Sequence, residues 1–158
     1  MLTIASAMKV PISGLTGVIS MDASVLFMAS VCGHIHAFHM PYLRMLRDRG
    51  YNVLAAGRYD GAEDAIITEG FSCVDVPFSR NPLDLQNTRA FRAVCALLGG
   101  VPSLRLVHVH TPVAAFVLRM GSRYSSFAGK VLYTAHGFHF YGGANALNWT
   151  TFYPLEAL

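Results

Sequence analysis

Five short runs rich in Val, Leu, Phe and Ala recur along the chain, separated by segments of helix length, and this alternation admits few folds. Parallel strands need a long crossover connection, which a helix supplies, so the pattern predicts an α/β Rossmann-like parallel sheet with helices on both faces. The expected strands are residues 25–29, 52–56, 71–76, 104–109 and 130–135. The expected helices are 37–49, 63–69, 88–98 and 112–124. In the first helix Phe38, Tyr42, Met45 and Leu46 repeat at helical spacing, Pro41 falls in the first turn where it is tolerated, and Gly50 closes the end. Pro77 stops the third strand, residues 57–61 and 78–87 read as loops, and Gly99-Gly100 ends the third helix. Beyond the fifth strand, Gly137, Gly142 and Gly143 allow an open loop, and 145–158 begins an amphipathic pattern with Trp149, Phe152, Tyr153 and Leu155.

A length of 158 residues suits one domain that buries about 70% of its unfolded surface. With 53% hydrophobic and only 13% charged residues, the chain needs a sheet buried on both faces or further apolar contact with a membrane or partner. No transmembrane segment is expected, because His, Gly, Pro, Asn and Thr interrupt the uncharged runs before about 18 apolar residues accumulate. Residues 1–21 carry Lys9 and Pro11 in their middle, which argues against a signal peptide, so they read as a disordered extension ahead of a domain over 22–158. Cys32, Cys73 and Cys95 are odd in number, widely spaced and without a CxxC pair, which fits a reducing cytoplasm rather than a disulfide framework or a zinc ribbon. The net charge of +3 gathers partly at Arg44, Arg47 and Arg49 and at Arg119 and Arg123. These read as solvated helix faces, with anionic lipid or phosphorylated substrates as the alternative; nucleic acid is not expected, since no basic stripe alternates with aromatics.

All seven histidines fall in three clusters at strand ends: His34, His36 and His39; His108 and His110; His136 and His139. The carboxyl ends of parallel strands face one crevice, so the clusters are expected to share a site. Zinc would want His36 and His39 at i, i+3, but HExxH is missing and no Asp or Glu lies within the clusters, so no metal is expected. Nucleophilic catalysis would need Cys32 beside an oriented histidine, yet no orienting acid or GxSxG elbow is present. The segment Ser30-Val31-Cys32-Gly33-His34 holds a single glycine, so neither a dinucleotide fingerprint nor a P-loop occurs. Recognition of hydroxyls and phosphates is the chemistry left, with glycine N–H groups for anions and Phe38, Phe138, Phe140 and Tyr141 as apolar faces for a sugar ring or lipid chain.

Four separated motifs then carry a resemblance. Residues 25–30 followed by Gly33-His34-Ile35-His36-Ala37-Phe38-His39-Met40-Pro41-Tyr42-Leu43, then Pro77-Phe78-Ser79-Arg80-Asn81-Pro82, then His108-Val109-His110-Thr111-Pro112, then Tyr133-Thr134-Ala135-His136-Gly137-Phe138-His139-Phe140-Tyr141 resemble the amino-terminal domain of bacterial family 4 type glycosyltransferases of capsule and exopolysaccharide assembly. The resemblance covers about 23–158. It implies one half of a GT-B fold and a retaining, metal-independent transfer from a nucleotide-diphosphate sugar, with no cofactor beyond that co-substrate. It also implies a catalytic role for His136 at the transferring sugar, Gly33 beside the donor diphosphate, and an acceptor side lined by His34, His36, Arg80, His110, Thr111 and His139.

The family's carboxyl-terminal donor domain has no counterpart in these residues, and charge developing on a leaving diphosphate needs its basic groups. The expectation is an acceptor domain inactive by itself, either a truncated product or a split-enzyme subunit paired with a donor-domain chain. Its expected partners are a nucleotide sugar and a glycan or lipid-linked acceptor, and its expected location is cytoplasmic, with peripheral contact at the inner membrane face. The alternative is a non-catalytic carbohydrate- or lipid-binding module, and a zinc protein is a third reading.

Overall fold

The structure is a computed structural model that describes residues 23–136 together with 143, 146, 149, 150 and 153. The expected extension over 1–21, the glycine-rich loop residues 137–142 with His139, and most of the 145–158 pattern lie outside the described residues.

In chain order the elements are β1 (Ser24–Val31), α1 (Cys32–Phe38), α2 (Met40–Asp48), β2 (Asn52–Arg58), α3 (Glu63–Thr68), β3 (Ser72–Asp75), α4 (Gln86–Gly100), β4 (Leu104–Val109), α5 (Pro112–Tyr124) and β5 (Lys130–Tyr133). The five strands form one sheet in the order β3-β2-β1-β4-β5, every pairing parallel. Alternation along the strands divides the core. Leu26 and Met28 of β1, with Leu54, Val74 and Val107, face α4 and α5 through Val94, Leu97, Ala114 and Leu118. Val25, Phe27 and Ala29 face the other way, onto Ile35 of α1, Leu43 of α2 and Ile66 of α3. Both faces of β1 are thus covered, which is why its eight residues are all buried and Val25 to Ala29 read as an unbroken apolar run. The expected α/β Rossmann-like sheet with helices on both faces is what the chain adopts.

The strand order has a functional consequence. From β1 the chain builds outward through β2 to β3, then crosses by α4 to the opposite side of β1 to lay down β4 and β5. Connections on either side of the β1–β4 boundary therefore diverge, and a crevice opens between the carboxyl ends of those two strands.

The main local departure is at the first helix, expected over 37–49. Helix starts directly after β1 at Cys32, and His39 (φ −120°, ψ −5°) divides it into two. Pro41 explains the division: it has no N–H to donate to Ala37, and in a continuous helix its ring would strike that carbonyl. His39 bridges the break, its N–H donating to the Ile35 carbonyl while its own carbonyl accepts from Tyr42 and Leu43. Gly57, expected in a loop, belongs to β2. A Cβ there would come within 2.9 Å of the Ala29 carbonyl oxygen and 3.1 Å of the Cys32 nitrogen, so only glycine lets β2 pass the corner where β1 becomes α1. Helix α4 begins before Thr88 and runs through Gly99 and Gly100. The ends of β4 and α5 fall where the sequence places them.

Among the described residues no helix is long and apolar enough to cross a membrane. The three cysteines are free; Cys32 and Cys73 are both buried, with their sulfurs 3.6 Å apart.

Candidate functional site

Among the described residues, five histidines from four places in the chain meet at the carboxyl edge of the sheet. His34 comes from α1, His39 from the α1–α2 break, His108 and His110 from the end of β4, and His136 from the segment after β5. Backbone ladders carry the strands past their formal ends to set the last two in place: His110 N–H donates to the Met28 carbonyl and Thr134 N–H to the Val109 carbonyl, both at 3.0 Å. Because side chains alternate along a strand, His108 and His110 point to the same side, the side of Phe27.

The ring centroids of His39 and His110 are 3.6 Å apart and nearly parallel, and His108 lies 4.1 Å from His110. His136 stands edge-on to His34 at 4.9 Å, and 5.5 and 5.6 Å from His39 and His110. His39 and His110 are 5% and 2% exposed, so they form the floor; His34 and His136 stand nearer solvent.

Burial sets the charge state of this cluster. His110 is pushed down to about 2 and His39 to about 4, in each case first by loss of water around the ring and then by the neighbouring imidazoles. His34 and His108 are lowered for the same reason, with His136 adding repulsion. The floor is therefore neutral at physiological pH, and each neutral ring offers one donor and one acceptor nitrogen. His108 uses Nε2 on the Thr134 hydroxyl at 2.8 Å. The Nε2 atoms of His34 and His39 and both ring nitrogens of His110 are buried without a hydrogen-bond partner.

A groove of about 520 Å³ opens beside the cluster, lined by Ser30, Gly33, His34, Phe38, Asp60 and Arg80, with Thr111 at its edge. Thr111 ties β1 to the start of α5: its hydroxyl accepts from the Ser30 N–H at 2.9 Å and lies 2.7 Å from the Ser30 hydroxyl. Arg80 projects from the loop before α4, which is braced by its own amides. Asn87 Oδ1 accepts from Ser79 N–H and Asn87 Nδ2 donates to the Asn81 carbonyl. Gly33 N–H donates to both carboxylate oxygens of Asp60, at 3.0 and 3.2 Å, and a Cβ on Gly33 would sit 2.7 Å from Asp60 Oδ2. A diphosphate at Gly33 would have to displace that carboxylate.

Of the residues expected at the site, His34, Gly33, Arg80 and Thr111 line the groove, while His110 and His136 join its imidazole cluster. His110 lies beneath His39 and supports the layer more than it faces the groove. His36 does not join them: it is exposed on α1 within electrostatic reach of Glu69. The pair expected for zinc, His36 and His39, is therefore not the pair that meets. Cys32 is no nucleophile here, because its buried thiol faces Cys73, which raises its pKa through their hydrogen bond, and the Gly57 carbonyl. Asp60 and Ser30 are not among the site residues expected from the sequence, where Ser30 enters only as part of the turn after the first strand; their signal is position, since each ends a strand, or follows one, at the edge that faces the crevice.

No protein-family model matches the chain. Among curated proteins it is similar to one from Bacillus subtilis (strain 168) described as "Putative glycosyltransferase EpsD", with 37% identity over 137 residues. The similarity covers 86% of this chain but 35% of the relative, so the chain spans about a third of the length of the glycosyltransferase-named protein that it matches.

Proposed function

We propose that this chain is the acceptor-side domain of a family 4 type GT-B glycosyltransferase, retaining in stereochemistry, which acts in the synthesis of a capsule or exopolysaccharide. The donor would be a nucleotide-diphosphate sugar and the acceptor a glycan, carried on lipid. The observation that supports this best is the floor of neutral, unpartnered imidazole nitrogens beside a groove at the strand-order switch point. Sugar hydroxyls are paired donors and acceptors, and so are neutral imidazoles. Similarity to a glycosyltransferase-named protein over 86% of the chain supports the same reading.

In this proposal His136, the exposed member of the imidazole cluster, is the catalytic contact to the transferring sugar. His34, Thr111 and Arg80 bind the acceptor, with His110 holding the layer beneath them; His36 and His139 are the remaining acceptor candidates of the resemblance. Gly33 marks the donor side, where the diphosphate competes with Asp60. The transfer uses no metal and no cofactor. Positive charge for the leaving diphosphate comes from a donor-binding domain, in the same protein or a partner chain, because among the described residues lining the groove Arg80 is the one Lys or Arg. The exposed Phe38, Leu83 and Leu85 offer apolar contact for a lipid-linked acceptor at the inner membrane surface.

The reading is tested by following histidine ring protons by NMR while soluble glycan fragments and nucleoside diphosphate sugars are added to the chain. Resonances of His34 and His136 should move in a saturable way, and Arg80→Gln should weaken the response about tenfold by removing a charged hydrogen-bond donor. No movement with any glycan or nucleotide sugar would overturn the assignment.

A further inference from the structure

We propose that His34, His39 and His136 together form a binding site for a zinc-class divalent cation, one that takes nitrogen ligands. One ring nitrogen from each of the three lies within 4.8 Å of the others. They come from three places in the chain, α1, the α1–α2 break and the segment after β5, so only the fold assembles them.

Three further observations support a cation. First, the Nε2 atoms of His34 and His39 are buried with no hydrogen-bond partner, and an unpaired buried nitrogen is unfavourable unless something fills it. Second, the ligand set is imidazole alone, which suits zinc, copper, nickel or cobalt and is a poor match for magnesium or calcium, whose ligands are oxygens. Third, three ligands from the described residues leave a fourth tetrahedral position for a further ligand or water, and His34 borders the groove that supplies it. Tetrahedral zinc with bonds of about 2.0–2.1 Å brings nitrogens to roughly 3.4 Å of each other. Closing from 4.8 Å requires a modest rotation, and exposed His136 is the ring free to make it. His110, stacked on His39, braces the least mobile ligand from below.

This proposal concerns binding alone and is independent of the transfer chemistry. A bound cation would occupy His136 and so act as a competitor of a sugar there, not as part of the reaction. The experiment is titration of the purified chain with zinc chloride by calorimetry, and with cobalt chloride by visible absorption, which reports tetrahedral nitrogen coordination directly. The expected result is one zinc per chain, intense cobalt bands, no comparable binding of magnesium, and a loss of affinity of at least about tenfold in His136→Gln and in His34→Gln. His136 is exposed, so its variant should keep the fold, as circular dichroism would verify. His36→Gln serves as the control and should bind zinc unchanged. Zinc binding that survives His136→Gln but is lost in His36→Gln would overturn the proposal, and so would substoichiometric binding without cobalt bands.

Discussion

Lowering the pH from 7.5 to 5.0 should destabilise this fold through two histidines, and the sign follows from their burial. His39 and His110 are held at about 4 and about 2, below the ordinary value near 6.5, so the folded state keeps them neutral where the unfolded chain protonates them. Their contribution is fully present above about pH 6.5 and is lost as pH falls from there toward about 4 for His39 and about 2 for His110. At pH 5 an unfolded imidazole is mostly charged, and keeping one neutral opposes folding by about 2 kcal/mol. Two such rings set a ceiling of about 4 kcal/mol; solvent relaxation at the mouth of the groove reduces this to about 3 kcal/mol. That is a large part of the roughly 5–15 kcal/mol that stabilises an ordinary domain, and it corresponds to a fall in melting temperature of about 6–12 °C. The carboxyls of Glu69 and Asp84 lie below their usual range, Glu69 through Arg44 and Asp84 through the Gln86 backbone, so both stay ionised at pH 5 and do not contribute. Urea unfolding at the two pH values measures the effect, and the double variant His39→Phe, His110→Phe removes the two largest histidine shifts, leaving those of His34 and His108, while matching the apolar surroundings of Phe27. If the double variant loses as much stability between pH 7.5 and 5.0 as the parent, burial of these rings is not the cause.

Three other outcomes are expected. Gly57→Ala should cost about 3 kcal/mol in urea unfolding, because the added Cβ meets backbone at 2.9 to 3.1 Å and nothing there can move aside cheaply; a change under about 1 kcal/mol would contradict the tight corner. Gly33→Ala should cost less, about 1–2 kcal/mol, since the obstacle is the Asp60 carboxylate, and pairing it with Asp60→Ala should recover most of the loss in a double-mutant cycle. Leu118→Ala, which empties a fully buried position on the α5 face, should cost about 2–5 kcal/mol while leaving histidine ring resonances unmoved, because it packs on the opposite side of the sheet.

Much of this protein was legible in its amino acids. The apolar run 25–29 announced a strand buried on both sides, the alternating run 104–109 a strand with one face more open, and Pro112 and Gly50 marked helix ends, because these depend on local sterics and on burial that any sheet partner would supply. Grouping histidines at strand ends also foretold a shared crevice, since parallel strands leave their carboxyl ends on one edge. Sequence alone could not sort the histidines within that crevice. His36 and His39 are three residues apart in one motif, yet the break at His39 turns the second ring onto the floor and leaves the first in solvent. The same limit hid Gly57, whose neighbours Ala29 and Cys32 are more than twenty positions away, and Asp60, whose carboxylate reaches the Gly33 amide. Secondary structure and fold class rest on short-range periodicity, which a chain carries in its own order. The neutral state of His110 and the meeting of His34, His39 and His136 depend on which strands lie side by side and how much water they exclude, and only tertiary packing decides that.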